Sequence, residues 1–169
     1  MGKLDNKVAI ITGGNAGVGK EIAKLFASEG AKVVISARRQ QVLEEAAKEI
    51  EAAGGTVLCV PTDISKVDDV KNLVSKTVET FGQLDILINN AAISPKVPFE
   101  DIPLEQLEQV LRVNLMGAFL CAQEAAAQMK EKRWGRIISL ASMAGRFGAN
   151  KSGAHYAATK AGIVGMTLS

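Results

Sequence analysis

Val8-Ala9-Ile10-Ile11-Thr12-Gly13-Gly14-Asn15-Ala16-Gly17-Val18-Gly19 is the stretch on which the fold turns. Four consecutive apolar residues, two of them isoleucine, fit a strand buried on both faces of a parallel sheet. The glycines that follow mark a tight turn. A helical pattern then places Val18, Ile22, Leu25 and Phe26 on one side, stopped by Gly30. Strand, glycine turn and helix form the first half of a βαβ unit.

The same alternation repeats along the chain. Lys32–Ser36 reads as a second strand, and Arg38–Ala53 as a helix that Gly54-Gly55 ends. Thr56–Val60 is a third strand closed by Pro61. A helix follows with Val67, Val70, Val74, Val78 and Phe81 stepping by three and four, capped by Gly82. Leu84–Ile88 is the fourth strand. A proline-containing loop leads to a long helix from Leu104 to about Lys130, apolar over more than one stripe and so expected to be covered on two sides. Arg136–Leu140 is the fifth strand, and a glycine-rich loop runs into a last helix. Strands alternating with helices of this length predict an α/β fold: a Rossmann-like, doubly wound parallel sheet of order 3-2-1-4-5. Residues 1–169 read as one domain, with no internal boundary or repeat.

Composition narrows the function. Lys+Arg 20 against Asp+Glu 18 is too balanced to argue for nucleic acid or an anionic membrane. Aromatics at 4% offer no stacking platform for single strands. One histidine speaks against a His-rich metal site, and no metal is expected. Cys59 and Cys121 sit in apolar runs as small hydrophobes. No apolar run reaches the length of a bilayer span, and no signal core precedes the first strand, so a cytoplasmic protein is expected. Asn150-Lys151-Ser152 matches a glycosylation sequon by chance. Asp68-Asp69 reads as a solvated face, His155 as an exposed helix-start residue, and Trp134 as packing at the start of the fifth strand.

The motifs suggest chemistry. Gly13, Gly17 and Gly19 occupy the first βα turn, at the crevice where open α/β sheets bind ligands. There the backbone can approach a pyrophosphate, and a helix N-terminus supplies amide donors. At the end of the second strand an acid prefers a free ribose 2′-hydroxyl, whereas an Arg accommodates a 2′-phosphate. Ser36-Ala37-Arg38-Arg39 has no acid. This points to NADP(H) with Arg38 as the phosphate clamp, NAD(H) being the alternative if Arg38 and Arg39 are only the polar start of a helix. Tyr156 and Lys160, four apart, share one helix face. An ammonium one turn away favours the phenolate and lowers a tyrosine pKa from its usual value near 10. The bland alternative is a core-edge tyrosine beside a solvated lysine.

Together these motifs resemble those of the short-chain dehydrogenase/reductase family. Thr12–Gly19 looks like its cofactor motif. Asn89-Asn90-Ala91-Ala92 resembles its Asn-Asn-Ala-Gly motif, with Ala92 in place of glycine. Asn114, Ser142, Tyr156 and Lys160 match its catalytic tetrad in type and order. The resemblance implies that Tyr156 is the general acid or base and that Lys160 lowers its pKa and holds the nicotinamide ribose. Ser142 would bond the substrate oxygen, and Asn114 would position a water leading to Lys160. Gly13, Asn15, Gly17, Val18 and Gly19 would cradle the cofactor. Asp63 with Ile64 would meet its adenine, and Asn89 with Ala91 its ribose. The implied reaction interconverts a carbonyl and a secondary alcohol, as in 3-oxoacyl-carrier-protein reductases and carbonyl reductases, on a small-molecule substrate. A homodimer or homotetramer is expected through the 104–130 and 155–169 helices. Family members continue beyond the position of Ser169, so the chain is expected to be C-terminally truncated. The rival expectation is a dinucleotide-binding fragment without turnover.

Overall fold

The computed structural model describes residues 2–148 and 153–168; the sequon at Asn150-Lys151-Ser152 and the final Ser169 lie outside them. Five parallel strands form one sheet in the order β3-β2-β1-β4-β5, as the alternating pattern predicts. They are β1 (Val8–Thr12), β2 (Lys32–Ala37), β3 (Thr56–Pro61), β4 (Ile86–Asn89) and β5 (Arg136–Ser139). The helices are α1 (Gly17–Ser28), α2 (Gln40–Ala52), α3 (Val67–Phe81), α4 (Leu104–Leu111), α5 (Gly117–Glu131), α6 (Ala144–Phe147) and α7 (Ala154–Thr167).

Side chains alternate across a strand, so each strand feeds two cores. Ala9 and Ile11 of β1 pack with Val33, Ile35, Leu43 and Ile50 under α1 and α2. Ile10 packs with Val34, Leu87, Leu73 and Val74 under α3 and α5. All five β1 residues are buried, which explains the continuous apolar run. β4 begins two residues later than expected because Asp85 acts as a clasp. Its N–H donates to the Val8 carbonyl at 2.9 Å, and its carboxylate accepts the Val8 N–H at 2.9 Å.

Three expectations about helices change. The predicted inner face of α1 is only partly inner: Val18 is 61% and Leu25 59% exposed, and the buried residues are Gly19 and Ala23. Small residues let the helix axis approach the sheet, so contact follows the smallest side chains rather than the most apolar. The long helix is interrupted. Between α4 and α5, Arg112–Met116 form a π-helical turn, the wide i→i+5 geometry often found at functional sites. Its second apolar set is covered only in part: Val110 is buried, whereas Phe119 is half exposed. The loop before α7 contains the short α6.

Trp134 precedes β5 and remains 38% exposed, with the Lys7 ammonium 3.9 Å above its ring. Asp69 is not merely solvated, since its Oδ2 accepts the Asp63 N–H at 2.9 Å. Among the described residues no helix is long and apolar enough to cross a membrane.

One side chain sets the heights of the two central strands. Thr12 Oγ1 donates to the Ile88 carbonyl at 3.3 Å and accepts the N–H groups of Asn90 and Ala91 at 3.0 and 3.1 Å. Thr12→Val removes that acceptor at unchanged shape and should lower unfolding free energy by about 1–3 kcal/mol, whereas Thr12→Ser should keep most of it; urea denaturation curves for the two variants check this. The cysteines give a second expectation. Burial pushes the Cys121 thiol up to about 12, while Cys59 is raised less and is only half-buried. A thiol reagent at mildly alkaline pH should therefore modify Cys59 first and reach Cys121 only on unfolding, which mass spectrometry of the labelled chain would reveal.

Candidate functional site

The carboxyl ends of β1, β2 and β4 open into a cleft of about 390 Å³. The β1–α1 turn forms one wall. Gly17 adopts φ +54°, a left-handed conformation that L side chains rarely take, and an added Cβ there would meet nothing within 4 Å. Gly19 is needed for another reason: a Cβ would lie 2.4 Å from both Asn90 Nδ2 and the Gly13 carbonyl. The turn is pinned against β2, because the N–H groups of Gly13 and Gly14 donate to the Ser36 carbonyl at 2.7 and 3.3 Å. Asn90 Nδ2 donates to the carbonyls of Thr12 and Gly13 at 2.9 and 3.2 Å. The N-cap residue of α1 is Ala16, which makes no side-chain cap, and the first turn carries no acid. The helix N-terminus thus meets the cleft with its amide donors and positive dipole end uncompensated by the chain.

Of the residues expected to hold a cofactor, Gly13, Asn15, Val18, Arg38, Asp63, Ile64 and Ala91 line this cleft. Gly17 and Gly19 shape it from behind. Asn89 does not line it, contrary to expectation. Alternation along β4 puts Asn89 on the Leu87 side, beneath α5, where its Nδ2 donates to the Ala118 carbonyl at 3.1 Å and to Ser139 Oγ at 3.3 Å. Its neighbour Asn90 takes the place in the cleft wall. Ala92 also lines the cleft, and it needs no positive φ, so the alanine in the glycine position is unstrained. Sequence reasoning missed Ser36, Thr62, Gln109 and Val113, which line the cleft too. Nothing in their residue types marks them; only strand ends and crossing helices bring them there.

The donor set fits a dinucleotide. Ser36 lines the cleft and is 1% exposed, and among the described residues its buried Oγ has no hydrogen-bond partner. A buried hydroxyl without a partner costs free energy that a bound polar group would recover. Arg38 is exposed at the cleft edge. The Asp63 carboxyl opposite is held below the usual carboxylate range, chiefly by hydrogen bonds from Ser65. Lys66 and Arg38 reinforce the shift by their charge.

The four candidate catalytic residues do not line this cleft; Asn114 is tied to its wall at Ile93. Asn114 lies in the π-helical turn and is 2% exposed. Its Oδ1 accepts the Ile93 N–H at 2.8 Å, and its Nδ2 donates to the Ile93 carbonyl at 2.9 Å and to Thr159 Oγ1 at 3.3 Å. Its side chain is therefore committed to protein partners. Tyr156 and Lys160 share a face of α7, with the Lys160 ammonium 5.8 Å from the Tyr156 ring centroid. Lys160 is not a solvated lysine: it is 5% exposed, its ammonium donates to the Leu140 carbonyl, and burial pulls its pKa below the ordinary lysine value. Ser142 lies two residues past Leu140, half-buried, and its Oγ accepts the Ala144 N–H at 3.2 Å.

His155 is a correction. It is 2% exposed rather than solvated, and neither ring nitrogen has a partner among the described residues. Its ring folds over Gly153, where a Cβ would come within 2.2 Å of Cε1. The absent side chain at 153 makes the burial possible.

Known proteins place this architecture. The sequence profile of the family described as short chain dehydrogenase matches residues 7–169. An uncharacterized oxidoreductase of Thermotoga maritima is 40% identical over 98% of this chain and 64% of its own length. A 3-oxoacyl-[acyl-carrier-protein] reductase of Synechocystis sp. is 36% identical over 99% of this chain and 68% of its own. Among solved structures, a short-chain type dehydrogenase/reductase from Mycobacterium marinum superimposes with a TM-score of 0.94 at 35% identity, covering 97% of this chain and 67% of that one. An NAD+-bound xylitol dehydrogenase gives 0.94 at 30% identity, covering 98% and 64%. The chain thus spans less than two thirds of the length of the Thermotoga relative. With its glycine turn, its sheet order and the match over residues 7–169, the chain belongs to the short-chain dehydrogenase family.

Proposed function

We propose that this chain carries the cofactor and proton-transfer half of an NADP(H)-preferring oxidoreductase that interconverts a carbonyl and a secondary alcohol. The observation that carries the reading is the joining of Ile93, at the cleft wall, to α7 through Asn114 and Thr159, next to the buried Lys160. The Gly13–Gly19 turn and the uncapped α1 N-terminus would hold the pyrophosphate. Asp63 and Ile64 would face the adenine, and Ser36 and Arg38 the adenosine ribose, where the guanidinium matches a 2′-phosphate. When bound, the nicotinamide supplies the hydride donor or acceptor.

The protein's own residues handle the proton. Tyr156 gives its hydroxyl proton to the substrate oxygen in reduction and takes it back in oxidation. Lys160, one helical turn away, holds its ammonium 5.8 Å from the Tyr156 ring centroid and supports that transfer by its charge. Ser142 donates its hydroxyl to the same substrate oxygen. The exposed apolar residues Met116 in the π-helical turn, Phe119 on α5 and Val164 on α7 support a homodimer or homotetramer through these helices. A small carbonyl or alcohol substrate and a cytoplasmic setting belong to the same reading. The rival is dinucleotide binding without turnover, which would show as NADPH binding with no ketone-dependent oxidation.

Two outcomes are expected. Tyr156→Phe should reduce ketone-dependent NADPH oxidation by roughly 100-fold or more and leave the NADPH dissociation constant near that of the unaltered chain; retained turnover would sink the proton-transfer role. Arg38→Asp should shift the ratio of NADPH to NADH dissociation constants toward NADH by about ten-fold or more, and an unmoved ratio in fluorescence titrations would rule out the phosphate clamp.

A further inference from the structure

Thr159 has no assigned part in the proton-transfer reading, yet it is wholly buried and touches both halves of the site. Its hydroxyl donates to the Tyr156 carbonyl at 2.7 Å and accepts Asn114 Nδ2 at 3.3 Å. Asn114 in turn grips Ile93 through both its oxygen and its nitrogen. The chain of bonds runs from the cleft wall, through the π-helical turn, into the backbone of the tyrosine and the residue preceding the lysine.

Apart from the bond of the Lys160 ammonium to the Leu140 carbonyl, which holds the end of a flexible side chain, the packing of α7 is not directional. Gly162 meets Leu115 through apolar atoms, and a Cβ on Gly145 would run into the Lys160 carbonyl region. Such packing limits how close the helices come but leaves rotation about the helix axis weakly specified. A directional hydrogen bond in a buried site specifies that rotation. The Lys160 ammonium is anchored on Leu140, past the end of β5, so a small turn of α7 changes its relation to the Tyr156 ring.

We propose that Thr159 is a positioning residue: through its two hydrogen bonds it locks the rotation of α7 that presents Tyr156 and Lys160 to the cofactor cleft. The inference rests on the Tyr156–Lys160 reading above and adds to it a residue that meets neither substrate nor cofactor.

The test exploits composition. The chain has one tyrosine, so its near-ultraviolet tyrosinate band titrates Tyr156 alone. Thr159→Val, Thr159→Ser and Lys160→Met are titrated beside the unaltered chain, and NADPH dissociation constants are measured by fluorescence. Loss of the lysine charge should raise the tyrosine midpoint. Thr159→Val should move it in the same direction and weaken NADPH binding by roughly five-fold, as one buried hydrogen bond would. Thr159→Ser should restore both.

A lowered melting temperature for Thr159→Val with midpoint and affinity unchanged would make Thr159 merely structural and overturn the proposal. So would a serine variant that fails to rescue. If Lys160→Met itself leaves the midpoint in place, the underlying pair reading falls and takes this inference with it. If it moves the midpoint and Thr159→Val does not, only the role of Thr159 falls. Should the valine variant not fold, Thr159→Ala removes the same hydroxyl without adding an atom, and it carries the same comparison.

Discussion

The hydroxyl of Thr12 and the carboxamide of Asn90 are the contacts on which the site depends. They join residues 78 positions apart in the chain. Thr12 sets the end of β1 against the start of the loop after β4. Asn90 then fills the space left by the missing side chains of Gly13 and Gly19. Only with that space filled can α1 start where it does, its N-terminus open toward the cleft. The glycine turn is therefore not just a flexible connector. It is a recess of fixed shape whose floor is an amide from the loop after β4.

A second clasp extends this rigidity from the cleft to α7. Asn114 sits where the helix between Leu104 and Glu131 widens into a π turn. The wider turn places a polar side chain within reach of a loop backbone on one side and of Thr159 on the other. Every hydrogen-bonding group of that carboxamide but one acceptor lone pair is used. Buried polar networks repay their desolvation only when so satisfied. The interruption of the helix is the local cost of the connection, consistent with structure and function pulling apart at sites.

Other buried polar groups are less well served. Among the described residues, Ser36 Oγ, Asn89 Oδ1, Gln106 Oε1 and both His155 nitrogens have no partner. They lie at the ends of β2 and β4, in α4 and at the start of α7, and Ser36 lines the cleft. The cores themselves are apolar sandwiches of Ile, Val, Leu and Ala on each face of the sheet. Stability and binding are thus built from different residues. Lys160 is the intermediate case, a charged group drawn under the surface and held by one carbonyl.

Much of this was legible from residue order. Apolar runs of strand length, helical spacing and glycine stops follow from local backbone geometry, so the strands, most helices and the order 3-2-1-4-5 could be read directly. So could the position of the glycine turn and the common face of Tyr156 and Lys160. What only the tertiary structure decided depended on contacts between distant residues. The second of two adjacent asparagines lines the cleft because β4 alternation sends the first beneath α5. The small face of α1 packs inward because axis distance, not hydrophobicity, governs its approach. The helix at Asn114 widens, and His155 is buried, because partners from other elements supply the bond in one case and the space in the other. Periodicity reads the neighbours a residue has along its own element, and these features are set by neighbours across the fold.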